Sequence, residues 1–307
     1  MAEASPILAS TIMIRQMKFF CIVSIVLVGN TLAQTEDDYL TYRIPLDAKK
    51  SGPGPSRDPT VEYYTFYPSG EEPSWKNQIA REMFKGGQLV ERLLYDRKGS
   101  KHGVQREWYT SGKPRSESPY KHGIMYGPFR LWGEAGRLTG QYLIIDGKGT
   151  QRLYSEDGEL IREKEFENSK GNGILMEMAK DSATRSISFK RDDNVVGKAF
   201  MFTLSGKLVE ITCYSSKGVW HGPRIVFTKD GATKVEEWFV DNQKVDKHDY
   251  AEAALVDSSL PPYFEDARRY KEFADPDVIA KEKIYRQMPR VKIPLEFDET
   301  NNPVLAP

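Results

Sequence analysis

A glycine spacing that recurs six times between Gly103 and Gly231 constrains this chain more than any other feature. In each unit two small residues lie nine positions apart, with a large apolar residue five positions after the first. The units are Gly103 to Gly112 with Trp108, Gly127 to Gly136 with Trp132, Gly149 to Gly158 with Tyr154, Gly173 to Ser182 with Met178, Gly197 to Gly206 with Phe202, and Gly222 to Gly231 with Phe227. The leading glycines follow one another at 24, 22, 24, 24 and 25 residues. Such a period predicts a repeat array, in which each unit buries its surface against its neighbours.

Each unit has the pattern of a β-hairpin. Turn pairs such as Ser111-Gly112 favour two-residue hairpin loops, because these residue types tolerate positive φ. A two-residue loop there places Arg106 opposite Glu117 and Gly103 opposite Tyr120. The same rule pairs Met176 with Ile187 and Phe200 with Ile211, and it sets Ile144, Phe166, Tyr214 and Phe239 opposite Gly127, Gly149, Gly197 and Gly222. We therefore expect a mainly β fold, an elongated antiparallel meander of hairpin repeats.

The N-terminus has the pattern of an export signal. Arg15 and Lys18 precede the apolar run Phe19–Val28, and the small residues Thr31 and Ala33 follow it. A run of this length is too short for a spanning helix, which needs about 20 residues. We expect residues 1–33 to be a secretory signal peptide cleaved near Ala33-Gln34, which would place the mature protein in the periplasm or outside the cell. An uncleaved anchor is the alternative, and Met17 is a second candidate start.

Three further segments follow the signal. Residues 34–60 contain Lys49-Lys50-Ser51-Gly52-Pro53-Gly54-Pro55, a composition that predicts a disordered, extended linker. The repeat array should occupy residues 61–245, because Val61 to Gly70 with Phe66 has the form of a degenerate first unit. Residues 246–307 lack the period and should form a helical and extended tail that caps the last hairpin. Within it, Asp275-Pro276 predicts the start of a helix that reaches Met288.

Charge and cysteine content exclude several classes of protein. The chain has 44 basic and 44 acidic side chains, so it lacks the strongly basic character that nucleic-acid binding requires. Cys21 lies in the signal segment, which leaves Cys213 as the single cysteine of the mature protein. This excludes a disulfide framework, and we expect Cys213 to be a small buried apolar residue.

The titratable residues do not predict an active site. His102 and His221 each precede a leading glycine, and His122 lies ahead of Gly127. Because these positions are spread along an array, we interpret the histidines as junction residues and expect no metal site. Asp192-Asp193 has the pattern of a solvated loop. We therefore predict no cofactor and no enzymatic activity.

Two sets of residues are candidates for ligand binding. The first is the aromatic column that includes Trp108, Trp132 and Tyr154. Such a column either forms a core stripe or offers rings to a sugar or a protein. The second set is Arg106, Arg130 and Arg152, two residues earlier on the same strand face. These arginines either form an anion-binding ladder or pair with their cross-strand neighbours, Glu117, Gln141 and Glu163. Arg130, which faces a glutamine, should be the arginine most available to a ligand.

The spacing, the aromatic position and the junctions Lys101-His102-Gly103 and Trp220-His221-Gly222 resemble the MORN repeat, above all its bacterial variant. The likeness covers about residues 61–245. It implies an elongated, single-layer antiparallel sheet. Members of this family are associated with membranes, lipids or partner proteins, and some bacterial relatives are labelled antitoxin-like.

Three functional hypotheses follow from these observations. The first is an exported, non-catalytic scaffold that presents a sheet face to a protein or a cell-envelope glycan. The second is a peripheral membrane protein that binds anionic headgroups through the arginines. The third is a partner-binding protein, either an accessory module of an enzyme or a protein of the antitoxin-like kind.

Overall fold

One antiparallel sheet of 18 strands dominates the structure, a computed structural model that describes residues 39–179, 183–228, 230–273, 276–296 and 303. The first nine strands are β1 (Lys49–Gly54), β2 (Val61–Tyr67), β3 (Ala80–Lys85), β4 (Gln88–Leu94), β5 (Gly103–Trp108), β6 (Pro114–Lys121), β7 (Ile124–Met125), β8 (Gly127–Trp132) and β9 (Leu138–Ile145). The others are β10 (Lys148–Tyr154), β11 (Leu160–Glu167), β12 (Lys170–Met178), β13 (Thr184–Arg191), β14 (Asn194–Thr203), β15 (Leu208–Tyr214), β16 (Trp220–Phe227), β17 (Thr233–Val240) and β18 (Gln243–Val245). The expectation of a mainly β hairpin array is confirmed.

The strands pair in chain order. Each strand lies antiparallel to the one before it, except that β7 and β8 both pair with β6. The two outer strands are therefore β1, which pairs with β2, and β18, which pairs with β17. The described residues from 39 onward lie within one compact unit, Thr35–Pro307.

The predicted register is confirmed. Gly103 lies opposite Tyr120 and Arg106 opposite Glu117. The other predicted pairs are also present, namely Met176 with Ile187, Phe200 with Ile211, Gly127 with Ile144, Gly149 with Phe166, Gly197 with Tyr214, and Gly222 with Phe239.

The predicted turn type at these hairpins is wrong. In the first unit the amide of Gly112 donates to the carbonyl of Tyr109, and the amide of Tyr109 donates to the carbonyl of Lys113, which closes a three-residue loop. The register shifts by one residue between Glu107 and Trp108, and this bulge restores the register of a two-residue loop. The same loop and shift recur in units two, three, five and six.

Two-residue turns lie instead at the ends of the units, except between units five and six, where Ser215 and Val219 close a three-residue loop. Both central residues have positive φ in each, as type I′ turns require. The pairs are Gly86-Gly87, His122-Gly123, Asp146-Gly147, Asn168-Ser169, Asp192-Asp193 and Asp241-Asn242. From His122-Gly123 onward the second turn residue donates its amide to a carbonyl two or three strands earlier, as Gly147 does to Met125 and Ser169 does to Gly147, both at 2.9 Å. In the first turn Gly86 donates to the carbonyl of Thr60 instead. The junction turns are therefore linked along one side of the sheet.

The expected disorder of residues 34–60 is contradicted over the described part of that segment. β1 pairs with β2, and its Pro53 is accommodated because an edge strand needs to donate hydrogen bonds on one side only. Upstream, Tyr42 packs edge-on against His102 with ring centroids 4.8 Å apart, and its hydroxyl donates to the carbonyl of Tyr95 at 2.9 Å. The contacts of Tyr42 therefore hold this segment against the sheet, although its composition is that of a linker.

The tail contains the predicted helix, but it covers more than the last hairpin. It comprises α1 (Lys247–Val256), a 3₁₀ helix (Ala267–Phe273) and α2 (Pro276–Gln287). From α1 on β17 it runs back over the sheet. The amide of Val291 then donates to the carbonyl of Gly158 and that of Leu295 to Leu138, both at 2.9 Å. The tail takes this longer path because the apolar surface extends over units four to six. A cap on one hairpin would leave most of that surface exposed.

Several predictions concern segments outside the described residues. They are the signal peptide over residues 1–33, the closing residue Ser182 of unit four and the helix start at Asp275. Among the helices of the described residues, none combines the length and the hydrophobicity needed to span a membrane.

Candidate binding face

One face of the sheet carries two sets of equivalent residues, defined by their distance from each leading glycine. The inner row stands three residues after the glycine: Arg106, Arg130, Arg152, Met176, Phe200 and Ile225. The ring column stands five residues after it: Trp108, Trp132, Tyr154, Met178, Phe202 and Phe227. Because residues two apart on a strand point to the same side, the row and the column share what we call the array face.

Burial divides the array face into two parts. In units four to six the inner row is apolar and buried, with Met176, Phe200 and Ile225 at 0%, 1% and 0% exposure. In units one and two the row is arginine, and the ring-column residues Trp108 and Trp132 are half-buried. We call units one and two the open half and units four to six the covered half, with unit three between them.

The tail packs over units four to six, the covered half. Trp238 is 5% exposed, and its ring centroid lies 4.9, 5.3 and 5.9 Å from those of Tyr250, Tyr263 and Tyr270. The main core of the protein is therefore the contact between this half and the tail. Cys213 lies in this core, and its burial raises the pKa of the thiol to about 12, so the thiol stays protonated at neutral pH.

An ion pair within this contact holds α2 against the sheet. Arg185 of β13 and Glu282 of α2 are both almost fully buried, with a nitrogen-to-oxygen distance of 3.5 Å. Glu282 also lies 3.8 Å from Arg286 of its own helix. Because each charge is removed from water, each depends on the other for compensation.

Unit three lies at the border of the tail. Arg152 donates to Glu163 at 2.7 Å, as the register predicts, and the hydroxyl of Tyr285 donates to the same carboxylate at 2.8 Å. Burial, and then the hydrogen bond to Glu163, raise the pKa of Tyr285. The last arginine of the inner row is thus part of the tail contact.

The arginines of the open half share one carboxylate. Arg106 lies 3.0 Å from Glu117, and Arg130 approaches the same side chain from the neighbouring strand at 3.3 Å. The expectation that Arg130 has no carboxylate neighbour is therefore wrong. Its own hairpin partner is Gln141, but the strand on its other side supplies Glu117.

The open half also exposes apolar side chains at positions that the tail covers elsewhere. Leu143, opposite Pro128 in unit two, is 59% exposed. Trp238, opposite Pro223 in unit six, occupies the equivalent position and is 5% exposed. The open half is therefore a continuation of the surface to which the tail binds.

Two histidines that the sequence appeared to separate lie together in the structure. The ring centroids of His102 and His122 are 4.5 Å apart, and Nδ1 of His122 lies 2.9 Å from a carboxylate oxygen of Asp96. Burial acts to raise the pKa of Asp96, but hydrogen bonds from His122 and from the amides of Ser100 and Lys98 lower it below its usual range. The expectation that the array keeps these histidines apart is wrong, because the junction turns connect successive units.

Three such side chains, with ligand atoms within 4.8 Å of one another, have the chemistry of a metal site. However, Nδ1 of His102 accepts the amide of His122 at 3.3 Å. His221 and Asn172 stand at the same position of their units, and they accept the amides of Asp241 and Asp192 at 3.2 and 3.3 Å. Because an asparagine makes the same bond, this repeated position serves to satisfy the amide of a junction turn.

Sequence reasoning missed two contributors to the array face. One is the sharing of Glu117, which requires the pairing of β6 with β8 as well as the hairpin register. The other is the segment before β1, where Tyr42 and Arg43 line a cavity together with Arg92 and Arg106. Tyr39 and Tyr42 are the only signal in that segment, since aromatic residues are unusual in linkers.

The comparisons with known proteins agree with this architecture. The family model of the MORN repeat variant matches residues 101–122 and 148–168, which correspond to hairpins β5–β6 and β10–β11. Two of the hairpin units thus match the MORN repeat variant, in agreement with the resemblance seen in the sequence. No curated protein matches the chain.

Proposed function

We propose that the protein is an exported, non-catalytic scaffold that binds a segment of a partner protein on the open half of its array face. The observation that carries the proposal is the equivalence of Leu143 and Trp238, one exposed and the other buried under the chain's own tail. The tail shows how such a surface is occupied, by short helices and extended chain that present tyrosine rings. We infer that the partner supplies a similar aromatic segment.

The charges of the open half favour a protein partner over a lipid headgroup. Arg106 and Arg130 share Glu117, and Arg152 binds Glu163, so the three arginines of the inner row with these two carboxylates offer a headgroup a net charge of only +1. Half-buried tryptophans beside paired arginines have the composition of protein interfaces, where Trp and Arg are enriched. Binding to anionic headgroups or to a glycan is the alternative that the experiment below distinguishes.

Site-specific photocrosslinking tests the proposal. A photoreactive residue is placed at Leu143, and a matched probe is placed at Leu255, which is 86% exposed on α1 and lies outside the array face. We expect a protein adduct from position 143 that is absent from position 255. The purified partner should then bind the unsubstituted protein at least tenfold more tightly than Leu143→Asp, whose thermal stability should be unchanged.

Other outcomes would identify a different function. An adduct with glycan, or vesicle binding that weakens steeply with salt, would replace the protein partner by one of the alternatives. Equal crosslinking at both positions would contradict a specific surface.

Export rests on the pattern of residues 1–33 and has a separate test. Cell fractionation and N-terminal sequencing should find the mature chain outside the cytoplasm, starting at Gln34. Recovery of uncleaved protein in the cytoplasm would contradict export without affecting the binding surface.

A further inference from the structure

We propose that the cavity between residues 39–44 and strands β4 and β5 is a binding site for a small oxyanion, a carboxylate or phosphate, held by Arg43, Arg92 and Arg106. The cavity has a volume of about 530 Å³. This lies within the range of about 300–1,000 Å³ that is usual for small-molecule sites. The site shares Arg106 with the open half, but Leu143 does not line it, and it does not depend on the proposed protein partner.

The sheet itself places two positive charges side by side in this cavity. Arg92 of β4 and Arg106 of β5 lie directly opposite each other in the strand register. Like charges at such positions destabilise a sheet. A bound anion between them would remove this repulsion, and guanidinium groups bind carboxylate and phosphate through paired hydrogen bonds.

The neighbouring carboxylates compensate these arginines only in part. Glu82 lies 2.6 Å from Arg92, and Glu117 lies 3.0 Å from Arg106. Glu117 also serves Arg130, so two carboxylates serve three arginines in this network. Arg43 also lines the cavity.

The wall that carries Arg43 is anchored to the sheet. The hydroxyl of the preceding residue, Tyr42, bonds to the carbonyl of Tyr95 at 2.9 Å, and its ring packs on His102. Tyr39 packs edge-on against Tyr126 at 5.5 Å. These contacts place Arg43 over the sheet.

The other residues that line the cavity indicate which chemical group should carry the oxyanion. Leu40, Ile44 and Leu94 contribute apolar side chains beside the arginines. A carboxylate with an aliphatic body fills both parts of such a site, since apolar surface removed from water contributes about 25 cal/mol per Å². We therefore expect hexanoate to bind more tightly than acetate.

Isothermal titration calorimetry of the purified full chain at low salt tests the site with hexanoate, acetate and inorganic phosphate as probes. We expect saturable binding to one site, weakened at least fivefold by Arg43→Gln and by Arg106→Lys, which keeps the charge but not the planar fork. Arg115→Gln is the matched control, because Arg115 is 60% exposed, pairs with Glu107 and does not line the cavity. This control should bind within twofold of the unsubstituted protein.

The probes also distinguish the source of the oxyanion. Phosphate binding without hexanoate binding would assign a phosphoryl ligand, and the reverse would assign a carboxylate. The absence of saturable binding for all three probes, or an equal loss in Arg115→Gln, would overturn the proposal. Arg43→Gln should keep the thermal midpoint of the unsubstituted protein, since its side chain is exposed. If Arg43→Gln misfolds, the affinity of Arg106→Lys for the probes tests the site instead.

Discussion

The open and covered halves share one backbone plan but differ at equivalent side chains. In the covered half the inner row is Met176, Phe200 and Ile225, and the tail lies over it. In the open half the row is Arg106 and Arg130, and among the described residues the tail reaches only the edge of this half, where Leu295 bonds to Leu138. The extent of the tail therefore follows the residue type along the inner row.

The energetic difference between the halves explains this division. Burial of a large apolar side chain contributes about 1.5–3 kcal/mol. An exposed ion pair contributes at most about 1 kcal/mol, and covering it would remove its charges from water. The tail consequently gains stability over the apolar row and would lose it over the arginine row. Two surfaces with different tasks can in this way be built from one repeat.

The largest effect should come from the ring column. Phe202 is 4% exposed, so Phe202→Ala should reduce the free energy of unfolding by about 3–5 kcal/mol through lost burial and a cavity. Trp132→Ala, at the same position of unit two, should cost less than half as much because that ring is half-buried. Urea unfolding of the two variants measures the difference. Equal losses would show that the halves do not differ in packing.

The buried ion pair of the tail should rank next. Glu282→Ala leaves Arg185 buried without its carboxylate, which should cost about 3 kcal/mol. The double variant Arg185→Met/Glu282→Leu should recover most of this loss, because two apolar side chains suit a buried contact. A double variant as unstable as the single one would mean that the pair stabilises the tail by itself.

The hydroxyl of Tyr285 should have a smaller effect. Tyr285→Phe removes its hydrogen bond to Glu163 and should cost about 1–2 kcal/mol at neutral pH. Because the pKa of this tyrosine is raised in the folded protein, its contribution is fully present below the unfolded value of about 10 and declines as pH rises through the folded value. The difference between the two proteins should therefore shrink above about pH 10 in unfolding experiments. A constant difference would argue against the titration of this hydroxyl.

The smallest effect is expected in the open half. Arg130→Gln removes one of the two arginines on Glu117, and the side chain is 43% exposed. The loss of stability should be about 0.2–1 kcal/mol and should decrease further at 1 M salt. A loss of several kcal/mol would show that the arginine row is part of the core and is unsuited to binding a partner.

Sequence reasoning predicted the sheet and its register because the repeat constrains both. The pairs of Gly103 with Tyr120 and of Arg106 with Glu117 depend on residue counts, and the bulge at each hairpin preserves those counts. The predicted turn type was wrong because residue counts do not distinguish the two cases. A three-residue loop followed by a bulge gives the same register as a two-residue loop.

The candidate site was less predictable because it depends on contacts between units. Nothing in the spacing of Arg130 and Glu117 shows that β6 pairs with β8 across the interruption at Tyr126. The meeting of His102 and His122 likewise depends on how the junction turns connect. The change from arginine to apolar residues along the inner row is visible in the sequence. It could have predicted which units the tail covers.

The two outer strands determine how such a sheet can grow. β1 carries Lys49, Lys50 and Pro53, and β18 has three residues, both features that oppose the addition of a strand from another molecule. The interior accepts a further unit more readily, because the strands pair in chain order and the units repeat one hairpin register. The array can therefore lengthen through duplication within its gene, while its ends resist growth into a fibre.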